Sequence, residues 1–482
     1  MQKEITNAFK WVLIGKISNQ LVGFVITVIL ARLLFPEDFG LLAMIVAFSS
    51  LVSGFVNLGF SSAIIQAKQI NEKELSSVFY LNIGLGITLA FIFFLSSSFI
   101  ADFYNDSRLI NISKVFSLTF VINSIGLVSL ALLEKKLKFK QIMYINIISG
   151  FSSGIIGLIL AFSGYGVWSI LIQNLFNEFF KAILALYFSK YIPLLYFKFQ
   201  SLKNLWSFGA PLFLSGLINS IFSKIDYLII GKFFPAALLG LLYRAKSFRT
   251  LIIRYTSESL GKVLFPVFSK KQGDMLWISN SVSLSLKVSF YFILFFSMLL
   301  FLVGDEMFII LFSEKWLGAV PYFKILILSS VTFPIISILG NVLIGLGKSK
   351  RFLFLDTFEK IGLLIGIILA VYDNNLLLYL YIDFIVRFIA VGIFFTRVDK
   401  LLKFNKRDIL VSFLSSLIIV LLSFYSVNVF LSMLSIENIW LIIIFKGVIF
   451  VSCFYILSEV DQRLQKKSNL HLIKSFITIY KS

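Results

Sequence analysis

An all-α, polytopic membrane protein with about fourteen transmembrane helices is the fold class this sequence predicts. Three observations predict it. The composition can be solvated only by lipid, the loop charges alternate along the chain, and a repeat of 200 residues organises the first four hundred.

The 482 residues are 59% hydrophobic and 14% charged, with a mean hydropathy of +0.95. Soluble chains are about 45–50% apolar and about 25% charged, so a fold of this length could not bury so much apolar surface in water. The chain has one cysteine, Cys453, and one histidine, His471. An internal disulfide is excluded, no Cys/His metal site is expected, and no cofactor is implied. The net charge of +20 raises nucleic acid as a partner. Its distribution argues instead for cytoplasmic loops facing anionic lipid.

A spanning helix needs about 20 mainly apolar residues. Thirteen runs satisfy this: 11–34, 41–65, 78–100, 115–133, 142–162, 165–188, 206–231, 281–303, 325–346, 353–372, 376–396, 409–430 and 439–457. The first is too long for the core of a signal peptide and reads as a retained span. Segment 238–268 is too polar for hydropathy alone. Loop charge decides it. If it spans, the loops on the side of the N-terminus carry 26 Lys and Arg and the opposite loops carry 5. That alternation places both termini in the cytoplasm. Every loop is short, so no extramembrane domain is expected to hold a soluble active site. The basic tail 459–482 reads as a weakly amphipathic segment on the cytoplasmic leaflet.

The repeat appears in the outer turns of two hairpins. Arg32-Leu-Leu-Phe-Pro-Glu-Asp-Phe-Gly40-Leu-Leu matches Lys232-Phe-Phe-Pro-Ala-Ala-Leu-Leu-Gly240-Leu-Leu at an offset of 200, with the prolines one position out of register. Asn19 falls on Asn219. Two groups of six helices in the same orientation make a parallel repeat, with substrate expected between the halves. The expected lobes are 1–204 and 205–400. Residues 401–482 supply two further helices and the tail.

Charges inside spans carry the functional reading. A charge at mid-bilayer on a lipid-facing helix costs at least ~2.5 kcal/mol, so a run of them implies a wet cavity. On a helical wheel, 238–268 places Arg244, Lys246, Arg254, Glu258 and Lys262 on one face, with Arg249 at its margin. Other spans contribute polar rows: Lys16, Asn19 and Gln20 in the first, Asn57 in the second, Asn174, Asn177, Glu178 and Lys181 in the sixth, and Asn219 and Asp226 in the seventh, where Lys224 lies on another face. Ser and Asn rows equally suit interhelical hydrogen bonding. Glu178 with Lys181, and Asp383 with Arg387, have the spacing of pairs that neutralise each other. Asp226, Glu178 and Glu258 are candidates either for ion coupling or for charge balance. Gly150-x-x-x-Gly154 and Gly362-x-x-x-Gly366 read as close-packing motifs. Interior cations outnumber interior acids about two to one. A lumen of that sign attracts anions, and arginine's planar fork suits phosphate. The expected cargo is a phosphorylated or otherwise anionic amphiphile.

The motifs Ala31-Arg-Leu-Leu-Phe-Pro-Glu-Asp-Phe-Gly40, Leu58-Gly-Phe-Ser-Ser-Ala-Ile-Ile-Gln66, Leu132-Leu-Glu-Lys-Lys-Leu-Lys-Phe-Lys140, Tyr165-Gly-Val-Trp168, Ile225-Asp-Tyr-Leu-Ile-Ile-Gly231, Tyr243-Arg-Ala-Lys246, Val263-Leu-Phe-Pro-Val-Phe-Ser269 and Glu314-Lys-Trp316 carry a resemblance over about residues 1–400. The chain resembles bacterial polysaccharide-transport flippases, the Wzx-like exporters of O-antigen, lipopolysaccharide and capsule units, within the multidrug/oligosaccharidyl-lipid/polysaccharide exporter superfamily. The resemblance implies two six-helix lobes in a V, as in the MATE-like fold, plus two C-terminal helices. It implies an inner-membrane transporter, not an enzyme, that moves undecaprenyl-diphosphate-linked oligosaccharides to the periplasmic leaflet. A polysaccharide polymerase and chain-length machinery would be its partners. Lys16, Lys224, Arg244, Lys246, Arg249 and Arg254 align with a cationic lumen, and Asn19, Gln20, Asn57, Asn174 and Asn219 with its polar lining. The alternatives are a multidrug/cation antiporter, which a positive lumen disfavours, and a flippase for the peptidoglycan lipid precursor.

Overall fold

The computed structural model describes residues 2–257, 264, 267–433 and 438–465, and among these it is built of helices and turns. The chain divides into two compact units, Met1–Gly240 and Leu241–Ser482.

The first unit opens with α1 (Gln2–Leu33), α2 (Pro36–Asn57) and α3 (Phe60–Gln66). Pro36 starts α2 because a first-turn residue needs no N–H, and the Asp38 carboxylate accepts the Phe35 N–H at 3.0 Å. The run 41–65 was expected to be one helix. It breaks at Leu58 and Gly59, where Gly59 takes φ +78° and a Cβ would sit 2.2 Å from the Gly209 carbonyl oxygen. Only glycine permits that approach. Next come α4 (Glu72–Leu95), α5 (Ser97–Tyr104), α6 (Arg108–Phe116), α7 (Leu118–Lys135), α8 (Phe139–Phe162) and α9 (Val167–Ser189). Asn71 and Glu74 close a reciprocal capping box on α4, at 2.7 and 3.1 Å. The unit's apolar core gathers Phe60, Ile64, Val78, Phe79, Val128 and Leu132. The long α10 (Lys203–Phe233) packs along α2 in this same unit.

The repeated turns meet here. A Cβ at Gly40 would lie 1.8 Å from the Ala236 carbonyl oxygen, and one at Gly240 would lie 1.7 Å from that of Pro36. Positions 36 and 236, and 40 and 240, differ by the repeat offset. The contact is therefore reciprocal, as about a local two-fold axis. Neither glycine tolerates a side chain.

The second unit begins within α11 (Ala236–Tyr255) and continues through α12 (Met275–Leu302), α13 (Gly304–Phe312), a 3-10 turn at Glu314–Ala319, α14 (Val320–Ser329), α15 (Thr332–Gly345), α16 (Ser349–Tyr372), α17 (Leu376–Leu402), α18 (Lys406–Ser432) and α19 (Ile439–Gln465). Phe268, Val282, Leu286, Ile338, Leu339, Val342 and Phe394 form its core. The last two helices join this unit through α12. Phe290 stacks on Phe413 at 4.1 Å, the Tyr291 and Ser458 hydroxyls lie 2.7 Å apart, and Lys287 pairs with Asp408.

Eleven helical segments among the described residues have the length and hydropathy to cross a membrane, and they match eleven of the fourteen expected segments. The other three correspond to α10, α11 and α16, of 31, 20 and 24 residues. The 115–133 run breaks at Ser117, the 325–346 run breaks between Ser329 and Thr332, and in 238–268 the regular helix ends at Tyr255. The glycine motifs pack as read. A Cβ at Gly154 would meet Ile26 of α1 at 2.0 Å, and one at Gly366 would meet Ile382 of α17 at 2.7 Å.

Candidate functional site

In the second unit, α11 carries Arg244, Lys246 and Arg249 within two turns, with Arg254 one turn further. A bare cation at that depth is costly, and each finds its own solution. The buried Arg244 guanidinium lies 5.0 Å from the Phe312 ring centroid and 5.3 Å from that of Trp316, so aromatic faces surround the charge. Lys246, also buried, lies 5.3 Å from the Tyr379 ring. Arg254 is exposed.

Arg249 belongs to a network. Its Nη1 donates to Asp383 Oδ2 at 3.0 Å. Arg387 Nε donates to the other oxygen of Asp383, also at 3.0 Å, and Arg387 Nη1 donates to Glu359 Oε1 at 2.5 Å. Phe333 closes one side, its ring centroid 4.4 Å from the Arg387 guanidinium and 5.6 Å from that of Arg249. Four helices supply the parts: α11, α15, α16 and α17. Asp383 is 1% exposed. Two arginines and two carboxylates cancel in charge, and each Asp383 oxygen takes one arginine. Pairing and hydrogen bonding of this kind offset the cost of burying the charges.

The helical periodicity exposed the Asp383–Arg387 half of this network, and reading them as mutually neutralising agrees with the geometry. Glu359 lies ten residues inside α16, roughly 15 Å from the nearer end, because the helix begins at Ser349, ahead of the apolar run 353–372. No pattern along one helix could have joined Arg249 or Phe333 to the pair.

In the first unit, α1, α8 and α9 form a polar seam. Asn177 Nδ2 donates to Ser153 Oγ at 3.1 Å. Gly150 lies between α1 and α9, where a Cβ would be 3.6 Å from Asn19 Oδ1 and 4.0 Å from Asn177 Nδ2. Asn177 thus reaches across to α8, whereas Asn174 returns its amide to its own helix at Ile170 O, 2.9 Å. Glu178 pairs with Lys181 at 2.8 Å along α9. Lys16 and Gln20 are half-buried on α1. On α10, Lys224 lies 5.1 Å from the Tyr227 ring centroid, and Asp226 Oδ1 accepts the Tyr227 N–H at 2.8 Å. Glu258 and the side chains of Asn57 and Asn219 lie outside the described residues.

Among the described residues, intramembrane cations that hold carboxylates include Lys181, Arg249, Lys287, Lys360, Arg387 and Lys446. Two of the partners, Glu306 and Asp408, lie just outside the apolar runs 281–303 and 409–430. Among the described residues, no cluster of His, Cys, Asp and Glu could hold a metal ion.

A many-helix membrane protein with charge pairs buried deep among its spans defines a class of multi-pass membrane transport proteins. Residues 29–321 match the model of a family described as polysaccharide biosynthesis protein, and the chain belongs to that family, the Wzx-like group its motifs resemble. It is similar to the lipopolysaccharide biosynthesis protein WzxC of Escherichia coli (strain K12), 28% identical over 411 residues covering 78% of this chain and 80% of that one. The teichuronic acid biosynthesis protein TuaB of Bacillus subtilis (strain 168) is 26% identical over 381 residues, 78% of each chain. Among solved structures, the fold is similar to that of the lipid II flippase MurJ in an inward closed conformation. The TM-score is 0.76 at 16% identity, covering 94% of this chain and 99% of that one.

Proposed function

We propose that the chain is a flippase for an undecaprenyl-diphosphate-linked oligosaccharide, the repeat unit of a surface polysaccharide, moving it from the cytoplasmic to the periplasmic leaflet by alternating access. The observation that carries this reading is the cation series on α11 in a chain of this family. A diphosphate needs several donors of fixed geometry, and arginine forks supply them. Asp383 and Glu359 hold Arg249 and Arg387 until phosphate oxygens replace carboxylate oxygens. Arg254, exposed at the end of the series, meets the anion first. Asn19 on α1 and Asn177 on α9 offer amide groups suited to sugar hydroxyls.

No covalent bond changes in this reading. The lobes are 1–204 and 205–400 in a fourteen-span topology, with both termini in the cytoplasm and the chain in the inner membrane. A polymerase and its chain-length machinery take the product onward.

The test is a deletion strain. Lipid-linked repeat units should accumulate on the cytoplasmic side and clear on complementation. Arg254→Glu should insert into the membrane at normal levels and fail to complement. Normal surface polysaccharide in both Arg254→Glu and Arg249→Gln would overturn the anion-binding role of α11. Drug sensitivity without accumulated repeat units would point to an antiporter. Arrest of peptidoglycan precursor export would point to that cargo.

A further inference from the structure

A separate group of cations lies where the start of α16 and the end of α17 come together. These helices run antiparallel, so the start of α16 meets the end of α17. Between them is a cleft of about 410 Å³, within the roughly 300–1,000 Å³ usual for small-molecule sites. Leu355, itself buried, lines it with Phe354, Phe358 and Ile393, and Arg397 and Lys400 stand at its rim. We propose that this cleft binds the headgroup of an anionic glycerophospholipid of the surrounding leaflet.

Charge supplies the first argument. The nearest acids along both helices already hold cations. Asp356 pairs with Lys360 at 2.7 Å on α16, and Asp399 pairs with Lys406 at 2.7 Å while accepting the Phe404 N–H at 3.1 Å. Arg397 and Lys400 are exposed one turn apart on α17. The same end of the unit carries Lys348, Lys350, Arg351 and Lys403 in sequence. The local balance is strongly positive, at the end that the loop charges place in the cytoplasm. Basic clefts between helices on that side suit anionic headgroups.

Shape supplies the second. From the cleft, the exposed side chains Phe354, Phe358, Ile361, Ile365 and Ile368 follow α16 at spacings of three and four. This is one continuous apolar stripe, about 21 Å long by the helical rise. A molecule with a charged head and acyl chains matches both parts at once. A soluble anion would use the head site alone, whereas the stripe sets that site beside acyl chains. Arg397 is ten residues from Arg387, roughly 15 Å along the helix, so this site is separate from the buried network. It does not depend on what the protein transports.

The test uses the purified full-length chain in detergent, titrated with phosphatidylglycerol or phosphatidylcholine and read by native mass spectrometry and thermal stability. Phosphatidylglycerol should bind and stabilise, and phosphatidylcholine should not. Arg397→Gln with Lys400→Gln should weaken phosphatidylglycerol roughly thirtyfold, taking about a tenfold-or-less loss per basic group near a surface. The exchange Arg397→Lys with Lys400→Arg should restore most of that binding. Lys136→Gln with Lys138→Gln, which removes the same charge from an exposed loop, should leave it within about twofold. Equal losses in the two double variants, or none in the first, would overturn the proposal. An undecaprenyl phosphate titration separates the sources. If the Arg397/Lys400 variant lost that ligand and kept phosphatidylglycerol, the cleft would be a cargo site and the proposal would fail.

Discussion

Asp383→Asn is the most informative single substitution. The asparagine keeps the shape and one acceptor oxygen but loses the charge and half of the accepting capacity. Two arginines then face a neutral amide. Arg387 retains Glu359 at 2.5 Å, whereas Asp383 is the carboxylate hydrogen-bonded to Arg249. Removing one member of a buried pair costs about 3–5 kcal/mol, chiefly because the other charge is left uncompensated. Glu178→Gln is the contrast. Its pair with Lys181 has the same chemistry, but each side chain is 31% exposed and the spacing is i,i+3. A pair of that kind contributes about 0.2–0.5 kcal/mol. The assay is thermal or denaturant unfolding of detergent-purified protein, followed by loss of the monodisperse peak. Asp383→Asn should shift the transition strongly and Glu178→Gln hardly at all. A double-mutant cycle isolates the cause. Asp383→Asn and Arg249→Gln together should cost less than the sum of the two, with a coupling of roughly 1–3 kcal/mol. Additivity within about 0.5 kcal/mol would refute the shared network.

Gly40→Ala and Gly240→Ala should each sharply lower the folded protein in the membrane, since the added carbon would lie under 2 Å from a backbone carbonyl. Gly84→Ala, with nothing within 4 Å, should be neutral or stabilise by about 0.5–1 kcal/mol, and the same blot checks all three. Lys446→Gln should loosen α19, because its Nζ holds Glu306 at 2.8 Å and the Leu302 carbonyl at 3.0 Å; faster proteolysis after Gln465 is the readout. Asp106, in the turn before α6, is held below the ordinary carboxylate range by hydrogen bonds from the Arg108 side chain. Its folded value is depressed, so the stabilisation is present above the unfolded carboxylate value and lost as pH falls through the folded one. Arg108→Gln should raise the Asp106 value, seen by titration of a labelled carboxyl, and narrow that acid window.

The span pattern was legible because hydropathy and loop charge are properties of consecutive residues. So were the glycine motifs, whose spacing alone fixes the face they present. The breaks were not. Gly59 ends α2 because Gly209, 150 positions away, presses against it, and nothing near position 59 announces that neighbour. The polar seam shows the same limit. Asn174 and Asn177 lie on one row of α9, and only the position of Ser153 on α8 decides which of them reaches across. The repeat stands between these cases. The match at offset 200 is weak in sequence, and in the structure Gly40 lies against the start of α11 and Gly240 against the start of α2.

The pairing of Arg249 and Arg387 also bears on how a positive site can work inside a membrane. A row of uncompensated guanidinium groups would bind phosphate tightly, but it would carry the cost of desolvated charge whenever the site was empty. The Asp383–Glu359 arrangement removes that cost in the empty state by supplying carboxylate oxygens where phosphate oxygens would go. Under the proposed function, binding is an exchange of one oxyanion for another on the same arginine forks, and the net gain is the difference between two strong interactions. A transporter must release what it binds, so a small difference serves it better than a large one. Under the proposed function, Asp383→Asn should therefore bind a diphosphate more tightly than the parent while moving it more slowly. Weaker binding together with slower export would instead assign the carboxylate to the scaffold alone.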